Sequence, residues 1–246
     1  MSALFLFQLR RVGRNRQFLF FTVALPALFT LFFAQVFGQS ADDGYQDYAA
    51  ATMVAMMAYG AMGAALGATI RISFDRASGW LRQLRVTPVP PSTVVAVEML
   101  VGVLLTLPSL VVVALVGRVV NGVHLPLGTW LLLVAVLWAG SAVFVVLGLL
   151  LGLALEQKAA GGAIGIVGTV LALLGGLWVP AELFPGGLQA VAHALPSYWY
   201  AELGRDVAAG DAPSVLGVGV LVLFAAAATA LAATVARRRP LYAVAG

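Results

Sequence analysis

Six stretches of this chain, residues 18–37, 48–70, 93–116, 127–151, 161–179 and 213–235, share a single charged side chain between them, Glu98. About 20 apolar residues in a helix cross a hydrocarbon core of about 30 Å, and in that medium the helix satisfies its own backbone N–H and C=O groups. Each stretch therefore reads as a membrane span. The runs are continuous rather than alternating, so a transmembrane barrel does not fit. Composition agrees, with 62% hydrophobic and 10% charged residues, against about 45–50% apolar usage in soluble domains. The expected fold is an all-α polytopic membrane protein, one transmembrane domain over residues 1–246.

The basic residues give the spans an orientation. With the N-terminus inside, Arg10, Arg11, Arg14, Arg16, Arg71, Arg76, Arg82, Arg85, Lys158, Arg237, Arg238 and Arg239 lie inside, and only Arg118 and Arg205 remain outside. Twelve against two is a strong positive-inside signal, predicting a cell-membrane protein with both termini cytoplasmic. The acids Asp42, Asp43, Asp47, Glu182, Glu202, Asp206 and Asp211 fall outside in the same scheme. Topology accounts for the net charge of +4 without invoking nucleic acid. Cysteine is absent, which excludes disulfides and thiolate metal sites.

Two polar segments on the inside are candidates for contact with a partner. The stretch Arg71 to Pro91 sits between two apolar runs, concentrates Arg71, Arg76, Arg82 and Arg85, and ends in prolines that cannot continue a helix. From Ser73 to Leu84, Phe74, Leu81 and Leu84 recur at helical spacing beside Trp80, so a short amphipathic helix against the membrane surface is expected. Its arginines can also be read as nothing more than topological anchors. The second segment, residues 1–17, carries Leu4, Phe5 and Phe7 and then Arg10, Arg11, Arg14 and Arg16. No small-residue cleavage site follows it, so an interfacial helix is expected rather than a removed signal.

Prolines and glycines punctuate the spans. Pro26 and Pro108 fall inside spans one and three, where kinks are expected and tolerated. Gly60, Gly63 and Gly67 form a row of small residues on span two, suited to packing within one subunit or to a dimer face. Between spans five and six lies a segment broken by Pro180, Pro185 and Pro196, whose pieces are too short to cross. Re-entrant or interfacial half-helices are expected there, at about 181–195, with Tyr198, Trp199 and Tyr200 as an aromatic belt.

The chemistry of an energy source is missing. Glu98 has no Lys or His companion inside the spans, so an ion-driven pump is unsupported, and the residue is expected to snorkel or to pair with a loop arginine, the alternative being a place on a translocation path. Lys158, the one lysine, sits in Gln157-Lys158-Ala159, which is no phosphate-binding loop. His124 and His193 have no metal-ligand spacing and G-x-S-x-G is absent. The chain is not expected to be an enzyme.

The order of parts resembles the membrane subunit of type-2 ABC transporters, particularly the small daunorubicin-exporter-like permeases. Two stretches carry the likeness. Asp75-Arg76-Ala-Ser-Gly79-Trp80-Leu81-Arg82-Gln-Leu84-Arg85-Val-Thr-Pro88 is similar to the family's E-R-x-x-G-x-x-x-x-L-x-x-x-P pattern, with Asp75 where glutamate is usual. Gly176-Leu-Trp-Val-Pro180 continues through Leu183-Phe184-Pro185 to Leu195-Pro196-Ser197-Tyr198. The resemblance implies a permease that exports a lipophilic or amphiphilic compound, such as a drug, antibiotic or lipid-like molecule. It implies a cytoplasmic ABC ATP-binding subunit carrying the ATP and Mg, no cofactor on this chain, and a second copy or a related permease as partner in the lipid. Asp75, Arg76, Gly79, Trp80, Arg82 and Arg85, with the N-terminal helix, are then the ATPase-coupling residues. Pro180, Glu182, Phe184, Pro185, Pro196 and Tyr198 shape the outer re-entrant segment. The other class in play is a non-transporting scaffold or sensor that recruits a cytoplasmic partner through the basic loop.

Overall fold

The computed structural model of the chain describes residues 2–38, 44–84 and 90–238. Asp42, Asp43, Arg85 and Arg239 therefore lie outside the described residues, and Arg82 is described by its backbone alone. The described residues form helices and connecting turns, with no strand. Six helices are long and apolar enough to span: α2 (Arg16–Phe37), α3 (Tyr45–Ala77), α5 (Ser92–Val119), α6 (Leu127–Ala154), α7 (Gln157–Leu174) and α10 (Val215–Arg238). A short helix α1 (Ser2–Gly13) precedes them and α4 (Trp80–Leu84) lies between α3 and α5. Two more, α8 (Gly186–His193) and α9 (Pro196–Ala209), lie between α7 and α10. The six expected spans are all present, and the protein is a multi-pass membrane protein.

The helix α3 is the axis of the bundle, packed against α2, α5, α6, α7 and α9. Its apolar window is 83% buried while that of α7 is 17% buried, so α3 forms the core and α7 stands at the periphery. The core around α3 is built from Met53, Met56, Met57, Met62 and Leu66 and the facing Leu110, Leu133, Leu137 and Phe144. Glycine and hydroxyl groups replace bulk where backbones approach. A Cβ on Gly60 would lie 2.9 Å from the Thr22 carbonyl oxygen and against Ser109, so this residue serves packing within the chain, whereas Gly63 and Gly67 line a cavity. Another close approach is one the glycine row on span two did not signal. On α6, Gly148 and Gly152 sit on the backbone of α3 at Leu66 and Ile70, and Thr69 Oγ1 donates to the Val145 carbonyl oxygen at 2.9 Å. Small residues spaced i, i+4 let membrane helices close in this way.

The prolines are absorbed without ending the helices. Pro26 follows a π-helical turn at Phe20–Ala24, which widens the helix ahead of a residue that has no N–H to donate. In α5 the regular pattern lapses at Leu105 and Thr106 just before Pro108. The Val103 carbonyl oxygen there accepts from Thr106 Oγ1 at 2.7 Å and from Trp138 Nε1 of α6 at 3.0 Å. A neighbouring helix thus satisfies backbone that a proline disturbs, as the hydrocarbon requires.

The segment between α7 and α10 corrects the expectation of an aromatic belt. Pro180, Pro185 and Pro196 each begin or precede a short element: a 3-10 turn at Ala181–Leu183, then α8, then α9. Phe184 packs with Ala181, Ala192 and Tyr198, and the Glu182 carbonyl oxygen accepts from Gln189 Nε2 at 3.2 Å. Tyr200 is no surface ring. It is fully buried, donates its hydroxyl to the Leu137 carbonyl oxygen at 2.6 Å and meets Phe144 edge-on at 5.1 Å. The helix α9 is amphipathic and wedges against α3, α6 and α10, so Glu202, Arg205 and Asp206 belong to a helix rather than to a loop. Tyr200→Phe removes this bond, leaving the Leu137 carbonyl its backbone bond from the Ser141 N–H at 3.0 Å, and is expected to cost about 1 kcal/mol, read as a lower thermal midpoint in mild detergent.

Candidate functional site

The two basic segments singled out in the sequence meet at one end of the bundle. After Gly13 the chain breaks at Arg14, and Asn15 starts α2 as its N-cap, with Oδ1 accepting from the Phe18 N–H at 3.1 Å. That break turns α1 away from α2 and lays it against the start of α5, with Val12 packed on Val97 and Val101. The expected amphipathic helix over 73–84 is two pieces. The helix α3 carries on through Arg71 to Ala77, the chain turns at Gly79 with φ of 77°, and α4 resumes at Trp80. A positive φ is strained for a residue with a Cβ, and glycine meets it freely.

Charge pairs lock α1 to this turn. Arg11 and Asp75 form a two-pronged ion pair, Nη2 to Oδ1 at 2.7 Å and Nη1 to Oδ2 at 3.0 Å. Asp75 is 2% exposed, and its carboxylate raises the Arg11 guanidinium pKa further above its ordinary value. Phe7 of α1 stacks on Trp80 with ring centroids 5.5 Å apart. Among the described residues Glu98 neither snorkels nor forms an ion pair with an arginine. It is buried on α5 and accepts a hydrogen bond from Gln8 Nε2 of α1.

Arg76 reaches a different helix. Its guanidinium donates to the carbonyl oxygens of Gly152, Leu153 and Leu155 at 3.3, 3.0 and 2.8 Å, so it caps the end of α6. The last carbonyls of a helix have no partner inside it and carry its negative dipole end, which a cation satisfies. Arg76→Lys retains the charge but loses the fork that spans three acceptors. It is expected to cost about 1.5 kcal/mol, measured as a lower unfolding midpoint with insertion unchanged.

Asp75, Arg76, Gly79 and Trp80 thus turn inward, and the outer face is left to other groups. Gly79 is buried, while Ala77, Ser78 and Gln83 are exposed. On α1 Leu6, Phe7 and Arg10 are exposed, as are Arg14 in the break after it and Arg16 at the start of α2. Sequence patterning located the segment but not which residues hold it and which present it. Gln8 gave no signal at all, because a single polar residue in a short apolar run has no pattern to betray a partner 90 residues away.

Beside this assembly a cavity of about 780 Å³ opens between α2, α3 and α7, from Arg11 and Arg71 at the basic end to Tyr59 along α3. Its volume suits a drug-sized or lipid-like ligand. A smaller hollow of about 180 Å³ lies farther along α3, lined in part by Thr52, Met56 and Glu182. Tyr59, from the first, and Trp178, from the second, meet edge-on at 5.4 Å between them. Among the described residues no group of His, Cys, Asp and Glu could hold a metal.

Comparison with known proteins places these features. A family described as ABC-2 type transporter matches residues 1–209. The protein named "Putative transport permease YvfS" of Bacillus subtilis (strain 168) is 27% identical over 218 residues, which cover 88% of this chain and 89% of the relative.

Proposed function

We propose that this chain, which belongs to the ABC-2 type transporter family, is the membrane-spanning subunit of an ATP-driven exporter for a lipophilic or amphiphilic compound. A separate cytoplasmic subunit binds and hydrolyses the ATP with its Mg, and two permease copies complete the pathway. The observation that carries this reading is the assembly of α1, the Gly79 turn and the end of α3 into one tied unit. Through Arg11 and Asp75 it is joined to α1, and through Arg76 to the end of α6. A soluble partner pressing on the exposed basic face of α1 and the turn would move these spans together. The large cavity then supplies the place for a cargo, which a scaffold or sensor has no need of.

The test is co-purification with the P-loop ATPase. The full chain is expected to retain the ATP-binding subunit in mild detergent, and the variant Arg10→Glu/Arg14→Glu to release it while still inserting. Retention equal to the parent's places the contact elsewhere. The poorly buried α2 and α7 are the proposed surfaces for the second copy. A strictly monomeric chain that still transports after reconstitution rejects that pairing.

A further inference from the structure

The cavity between α2, α3 and α7 is lined by two arginines, Arg11 and Arg71, and by no carboxylate. Arg11 is already matched by Asp75. Arg71 is not matched: among the described residues it makes no ion pair, and its Nη1 is buried without a hydrogen-bond partner. Asp75 and Glu98 act on it through space, but the first is held by Arg11 and the second by Gln8, and neither faces the cavity. Arg71 stands at the cavity with no carboxylate bound to it, and an anion entering there supplies the missing counter-charge.

Asn15 and Gln17 join the arginines in the lining, and the rest of it is apolar or small, with Phe18, Phe21, Leu25, Tyr59 and Ile164 on its walls. Gly165 and Gly168 of α7 have nothing within 4 Å of where a Cβ would stand, which keeps that wall open. On α3 Arg71 lies twelve residues from Tyr59, about 18 Å at 1.5 Å per residue, with Phe74 one turn beyond it at the end of the lining. That is close to half a hydrocarbon core of about 30 Å. A groove one leaflet deep with a cation at its polar end matches a molecule with an acidic head and an apolar body.

We propose that this groove receives an anionic amphiphile as the transported compound, its carboxylate, phosphate or sulfate head against Arg71 and its apolar body along Phe18, Phe21, Leu25 and Tyr59. The proposal rests on the permease reading and adds the charge of the cargo to it. A cationic amphiphile meets two arginines and no counter-charge there.

The experiment uses the full chain in phosphatidylcholine nanodiscs and two fluorescent probes that differ only in the head, 11-(dansylamino)undecanoic acid and its methyl ester. The acid is expected to bind about tenfold or more tightly than the ester. Arg71→Gln removes the preference, Arg71→Lys keeps most of it, and Arg118→Gln, at the far end of α5, leaves it unchanged. Gly165→Leu, which fills the groove, weakens both probes. Equal affinity for acid and ester overturns the proposal, as does a preference that survives Arg71→Gln. If phosphatidylglycerol added to the nanodisc displaces the acid, the groove is a structural lipid site and the cargo assignment falls. Binding confined to monomeric chain means that a second copy fills the groove, which also overturns it. The permease reading fails separately, on ATP-dependent movement, which this measurement does not use.

Discussion

Asp75→Ala is expected to destabilise the protein by about 3 kcal/mol and to abolish ATP-driven transport while membrane insertion stays normal. Removing one member of a buried ion pair costs about 3–5 kcal/mol because the other charge is left without compensation. The lower end applies, since Asp75 is 2% exposed but the Arg11 side chain is 34% exposed and keeps some access to water. The loss also puts Arg11 and Arg71 near each other with no carboxylate between them. Insertion survives because Arg71, Arg76 and the arginines of α1 still mark the basic end. The double variant Arg11→Met/Asp75→Leu separates the pair from its surroundings: replacing both partners by apolar groups is often close to neutral, so stability returns to within about 1 kcal/mol. A single Asp75→Ala variant as stable and active as the parent removes the pair from any coupling role.

Gly148→Leu is expected to prevent the native bundle from forming. A Cβ at this position would stand 2.4 Å from Thr69 Oγ1 and 2.8 Å from the Leu66 carbonyl oxygen. The second contact is backbone, which cannot rotate away as a side-chain tip can. The two central helices must then separate, breaking the Thr69 bond to Val145 and opening the core at Phe144. Overpacking in a core costs about 1–3 kcal/mol even where neighbours adjust, and here the rigid neighbour pushes the cost above that range. Loss of monodisperse protein on size exclusion, with normal synthesis, is the expected reading. Gly162→Leu on α7, where nothing lies within 4 Å, is the matched control and is expected to fold.

The sequence was legible where hydrocarbon dictates the answer and illegible where packing does. Apolar runs long enough to cross the bilayer announced all six spans, because no other environment tolerates them. Span two ends where expected, at a turn at Ile70, but the expected helix over 73–84 begins two residues earlier, runs on from the span over Arg71–Ala77 and is broken at Gly79, where the positive φ left no mark in the hydrophobic pattern. Tyr200 and Tyr198 look alike in sequence, near prolines and near the end of a span. Only the depth of α9 against Leu137 and Phe144 makes Tyr200 a core residue. Gly148 and Gly152 had a signal, the i, i+4 spacing, that was passed over for the glycine row on α3. The basic segment itself was found by charge, but charge counts do not show that Arg76 spends its guanidinium on α6 carbonyls.

As the proposed exporter, this chain moves a compound across the membrane when a partner ATPase drives it through the α1 and Gly79 assembly. Proteoliposomes containing the full chain and its ATP-binding subunit, loaded with a panel of acidic, neutral and basic amphiphiles, measure it directly. The predicted result is vanadate-sensitive movement that needs both proteins and ATP, and that disappears with Asp75→Ala. Tight, ATP-sensitive binding of the two proteins with no movement of any compound in the panel contradicts the account and leaves the chain a membrane platform for its partner.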